Sequence, residues 1–249
     1  MVRKLVYSVL CIAALVAAMS FTSPGYGKLT IRFENFVSDK PLKLDSVYYK
    51  NALGQSFNVS MFKYYVGNFH LKNEEGKEFI SHGYFLINQE EKNSMQITID
   101  SVPFGEYKGI EFTLGVDSID NCSGAQSGAL DPVNGMFWAW NTGYIFLKME
   151  GQSPFSNATG KRLEFHIGGY KQQNNCIKQI HFEYKLQIKE NENEKIFIDA
   201  DASKLFSSPN LIDFSKISTV TDFHNAKAIA DNYSKMFSIE YPPPTAINK

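Results

Sequence analysis

The chain has 249 residues, 43% of them hydrophobic, with 25 basic and 26 acidic side chains and a net charge of −1. No basic stretch of the kind that neutralises a phosphate backbone occurs, and no long run of one charge, which argues against nucleic acid as a partner. The length allows one large domain or two small ones.

The chain opens with Arg3 and Lys4, an almost wholly apolar run from Leu5 to Phe21, and then small and polar residues in "TSPGYGK". That is the layout of a secretory signal peptide covering residues 1–27, with a membrane anchor as the alternative reading of the same run. Removal of the leader takes Cys11 with it. The two cysteines that stay, Cys122 and Cys176, form a possible disulfide in an oxidising compartment.

From Lys28 onward the hydrophobic pattern has period two. In "KLTIRFENF" it sets Leu29, Ile31 and Phe33 on one face, and "MQITID", "YKGIEFTLGVD", "RLEFHIGG", "KQIHFEYKLQI" and "KIFIDAD" alternate in the same way. The clusters "NALGQ", "NEEGKE", "VPFGEY", "SNATGK" and "ENENEK" carry the Gly, Pro and Asn that reverse a chain. This predicts a mainly β fold, an antiparallel β-sandwich over residues 28–240, immunoglobulin-like or related. Near the end, "TDFHNAKAIADNYSKMF" changes to apolar residues every three or four positions, an amphipathic helix with Asp222 as its N-cap. The last residues, 241–249, read as an extended tail.

Both tryptophans fall in one tripeptide, Trp138-Ala139-Trp140, inside "NGMFWAWNTGYIFLKMEG". On a strand they point the same way and, with Tyr144, make an aromatic surface. Asp117 and Asp131 flank this segment; carboxylates so placed cap turns or do acid/base work. The chain has no Gly-x-Ser-x-Gly elbow, His-Glu-x-x-His run, Cys-x-x-Cys pair or phosphate-binding loop.

Five stretches occur in a telling order: "MFKYYVGNFHL", "LGVDS", "NCSGAQSGALDPVNGMFWAWNTGYIFLKMEG", "FHIGGY" and "IADNYSKMF". In these the chain resembles the MbnP-like family of exported copper-binding proteins, in its Bacteroidetes-type form, over about Leu29 to Phe237. The resemblance implies a β-rich periplasmic or cell-surface protein that is not an enzyme. It also implies copper as cofactor and a di-haem cytochrome c peroxidase-like partner that oxidises a tryptophan to kynurenine. His166, in the family's His-x-Gly position and on the polar face of its strand, is the first candidate ligand. His224 or His70 is expected to supply the second imidazole and Met136 a soft thioether, with Trp138, Trp140 and Tyr144 beside the metal. Many members carry a histidine in the first strand, where this chain has Asn35. The alternative function is a module that stacks a glycan or other ligand on Trp138, Trp140 and Tyr144. His82 and His181 read as surface residues.

Overall fold

In a computed structural model of the chain, the residues described are 25–138, 143–222 and 225–240. Residues 1–24, which hold most of the expected leader, and the expected tail 241–249 lie outside them. The described strands are β1 (Tyr26–Val37), β2 (Lys40–Pro41), β3 (Tyr49–Lys50), β4 (Ser56–Asn73), β5 (Glu78–Asn88), β6 (Gln96–Pro103) and β7 (Gly105–Leu114). They continue as β8 (Phe137–Trp138), β9 (Gly143–Gln152), β10 (Arg162–Gly168), β11 (Lys178–Ile188), β12 (Asn193–Asp201), β13 (Thr219–Val220) and β14 (Phe237–Ile239). Two helices accompany them, α1 (Ser118–Cys122) and α2 (Ala226–Tyr233).

The strands form the expected two-sheet sandwich. One sheet runs β14-β12-β1-β2 with β6 also on β1, and the other runs β11-β7-β4-β9-β10-β13 with β3 and β5 on β4 and β8 on β9. Pairing is antiparallel except for β1 with β12 and β10 with β13, which are parallel. Alternation placed the inward faces correctly: Leu29, Ile31 and Phe33 are buried, as are Leu163, Phe165 and Ile167. Phe33 carries the first sheet onto the second, its ring edge-on to Phe112 at 5.8 Å and to Tyr64 at 6.2 Å. Such pairs add to the area they bury.

The long strand β4 organises the larger sheet. Lys63 pairs with Asn88 of β5 and with Lys148 of β9, while Val66 pairs with Phe85 of β5 and with Leu114 of β7. Because β5 takes one edge of β4 at both points, β9 and β7 must follow one another along the other edge. Between them the chain makes a detour. Gly115, at φ 105°, turns out of β7 with its α-carbon against the Phe146 ring, a conformation and a closeness that a side chain would not tolerate.

The detour lays a second layer on the outer face of the larger sheet. Tyr65 and Tyr144 are buried there, edge-on at 6.0 Å, and their hydroxyls donate to the Ala129 and Leu130 carbonyls at 2.9 and 2.8 Å. Asn121, buried in the same layer, accepts from the Tyr144 N–H at 3.0 Å. Met136, Trp138 and Phe146 complete it with no more than 1% exposure. The outer face of the sheet therefore has a small core of its own.

The C-terminal helix differs from its expectation. It begins at Ala226 with Asn225 as N-cap residue, not at Asp222, and it ends in a turn so that Phe237 opens β14 against Ala200. A strand partner thus takes over residues whose spacing would have continued the helix. The expected disulfide is not formed either. Cys122 is exposed with Sγ 3.4 Å from the Tyr170 hydroxyl, and Cys176 is a buried thiol whose pKa burial pushes up to about 12. The Tyr233 hydroxyl donates to the Cys176 carbonyl, which seats that cysteine under α2 and away from solvent.

On the outer face of the smaller sheet, Asp199 lies between Glu34 of β1 and Ser238 of β14. One carboxylate oxygen is buried without a hydrogen-bond partner. Burial, then the charges of Glu240 and Glu34, raise its pKa from the ordinary 3.8 to about 6. The folded state thus holds this proton more tightly than the unfolded chain, so stability should fall as pH rises through that interval. Asp199→Asn is expected to melt a few degrees higher than the parent at about pH 8. That advantage should vanish in melts recorded near pH 4, about the ordinary carboxylate value.

Candidate functional site

His166 lies on β10 with its side chain on the outer face, as the alternation of the strand predicts, and opposite Lys148 of β9. Its side chain is 15% exposed. Nε2 stands 2.8 Å from Glu150 Oε1, and Lys148 Nζ stands 3.4 Å from the same oxygen and 3.3 Å from the Gly135 carbonyl of the detour. Burial would raise the Glu150 carboxyl, but the hydrogen bond from His166 and the Lys148 ammonium outweigh it and hold the group below the usual carboxylate range. An ionised carboxylate can only accept. Nε2 therefore carries the proton.

For His166 itself burial is the largest effect and lowers its pKa, with the Glu150 hydrogen bond opposing and Lys148 adding to the drop. At neutral pH the ring is accordingly neutral, with its proton at Nε2 and a lone pair at Nδ1. Histidines that bind metals are oriented in this way, the second ring nitrogen donating to a carboxylate.

Trp138 closes the site on one side. An ideal Cβ placed on Gly168, two residues beyond His166, would come within 2.8 Å of the Trp138 ring and 2.5 Å of the Tyr144 carbonyl. Only glycine lets the indole lie on the strand there. Trp138 and Tyr144 are each 1% exposed, which corrects the alternative reading of them as a stacking platform: rings packed between sheet and detour offer no face to a glycan. Met136 is fully buried in the same layer. Trp140 and His224 lie outside the described residues.

The other candidates separate from this place. His70, on β4, pairs with Glu111 and Ile80. Counted along β4 from Lys63, which pairs with Lys148, it is on the order of 20 Å from His166. His82 and His181 are exposed on β5 and β11, as expected. Asn35 is buried between the sheets, accepting from the Tyr64 hydroxyl at 2.9 Å and donating to Gln89 Oε1 at 2.9 Å. The larger sheet stands between Asn35 and His166, so a donor at position 35 could not share a metal with this ring. Among the described residues no three His, Cys, Asp or Glu are arranged to hold a metal ion. His166 thus offers one oriented imidazole with its carboxylate, and the described residues bring no further His, Cys, Asp or Glu into a ligand cluster with them.

Asp117 and Asp131 are caps. Asp117 accepts from the Ile119 and Asp120 N–H groups at the start of α1 and from the Tyr84 hydroxyl at 2.6 Å; Asp131 accepts from Val133 N–H at 2.9 Å. Sequence reasoning missed Glu150 and Lys148. Their signal was available in "FLKMEG", where both fall on the polar face of a strand next to β10, but strand order is not written in local pattern.

A sequence profile of the family described as MbnP matches residues 26–225. Among solved structures, MbnP from Methylosinus trichosporium superposes with a TM-score of 0.52 at 14% identity, covering 75% of this chain and 79% of that one. At that identity the likeness speaks for the fold. No curated protein matches the chain.

Proposed function

The chain belongs to the MbnP family, and from that premise we propose that it is an exported, non-catalytic copper-binding protein whose metal site is built on His166. The observation that carries this reading is the Glu150 contact. By holding the ring proton at Nε2, it leaves Nδ1 as a fixed neutral donor on the outer face beside Trp138. A copper ion there would supply a Lewis-acidic, redox-active centre.

His224 is proposed as the second imidazole. Val220 of β13 pairs with Phe165, one residue before His166, and His224 follows four residues later in the chain. His70 is set aside on distance. Trp138 is assigned to packing, so Trp140 is the tryptophan proposed for oxidation to kynurenine by a di-haem peroxidase-like partner. Export rests on the leader layout of residues 1–27 and on the family. Among the described residues no helix is long and apolar enough to cross a membrane.

Metal analysis of protein purified from its own exporting cell tests the reading: copper in near-stoichiometric amount supports it, and copper at background defeats it. Intact mass of the same sample reads the tryptophan oxidation. A finer check uses the carboxylate. Glu150→Ala is expected to weaken copper about 10- to 100-fold in chelator competition, because the ring loses its orienting partner. Unchanged affinity would mean that His166 is not the metal-binding ring.

A further inference from the structure

At the end of the sandwich away from Tyr26, three loops are wired together by polar side chains. Asn51 donates to the Ile212 carbonyl at 3.3 Å, Gln55 donates to Asp213 at 2.8 Å and accepts from Phe214 N–H at 2.9 Å, and Ser153 donates to the Ser56 carbonyl at 2.6 Å. Asn51, Gln55 and Ser153 are themselves buried. The usual distribution is inverted here, for the same loops turn large apolar side chains outward. Leu53 is 44% exposed, Phe155 45% and Leu211 54%. One such residue alone would need no explanation; three on one hydrogen-bonded cluster make a surface.

We propose that this end of the molecule docks on an anionic lipid surface, with Leu53, Phe155 and Leu211 entering the headgroup region. Charge selects this occupant. Residues 48–56, 153–161 and 207–217 carry Lys50, Lys161 and Lys216 against Asp213 as their one acid, in a chain whose net charge is −1. The Asp213 carboxylate, held by Gln55 and Ser215, pairs with Lys216 at 3.9 Å, which leaves Lys50 and Lys161 as the net positive charge of these loops. Three side chains fall short of the roughly 800 Å² per partner of a stable protein interface. They suffice for interfacial lipid docking, which needs apolar tips and a cationic collar. The described chain leaves at the other end: β1 begins at Tyr26 beside Pro103, and β14 runs away from Asp201 until Glu240 donates to the Phe197 carbonyl.

The test is co-sedimentation of the exported protein with phosphatidylcholine vesicles, with and without phosphatidylglycerol. Binding is expected with phosphatidylglycerol, weakening as salt is raised, and about tenfold or more weaker for L53S/F155S/L211S. Phe155→Trp adds a reporter, whose emission should shift to the blue when those vesicles are added. Equal sedimentation of the parent and the triple variant, or no spectral response of Phe155→Trp, overturns the proposal. So does a concentration-dependent dimer that the triple variant loses, which would make a second copy the occupant.

Discussion

Trp138→Ala is expected to lower the unfolding free energy by about 3–5 kcal/mol. For a chain of this size that is a fall in melting temperature on the order of 10 °C, read by circular dichroism. The indole is 1% exposed and lies on the bare α-carbon of Gly168, with Tyr144 and Phe146 buried in the same layer. Removing it leaves a cavity between sheet and detour that rigid strands cannot close. Trp138→Phe keeps part of the ring area and should lose less. A fall of under about 1 kcal/mol for the alanine variant would mean that the detour packs loosely and that the second core is not cooperative with the first.

His166→Ala should reduce copper affinity by on the order of 100-fold or more, beyond the effect of losing an orienting carboxylate. The fold should survive it, since Glu150 keeps Lys148 as partner at 3.4 Å. His70→Ala and His181→Ala provide the contrast, as both rings stand on other parts of the larger sheet and should leave affinity unchanged. Equal loss from all three would point to scattered surface binding. Retained affinity in His166→Ala, with native circular dichroism, would end the proposal for this site.

Much of the architecture was legible because half-buried strands write their burial in alternation. β1, β10, β11 and β12 show it plainly, and His166 was placed on its correct face by that pattern alone. β4 was not legible in this way. Tyr64 and Tyr65 are both fully buried, one toward each face, because the detour covers what would otherwise be a solvent side. β5 also escaped notice, since Gly83 at φ 111° interrupts "EFISHGYFLIN" and only its last two residues are buried. The candidate site was half legible. The imidazole follows from local pattern, but its pairing with Glu150 depends on which strand lies next to β10, and that is a property of topology. The burial of Trp138 likewise depends on Gly168, which is distant in the chain and has no side chain to announce itself.

The end-to-end placement of β7 and β9 has a consequence for how the molecule tolerates change. Leu114 faces Val66 and Leu147 faces Tyr64, so the backbone ladder along β4 runs on almost without interruption while the covalent path wanders off and returns. Added length between Gly115 and Gly143 need not disturb those pairs so long as the buried layer of Met136 and Trp138 is kept, since lengthening such an excursion adds little closure entropy. The scaffold can therefore accept inserted sequence at this junction, outside the buried layer, with new side chains delivered beside His166 and its own strand pairing kept.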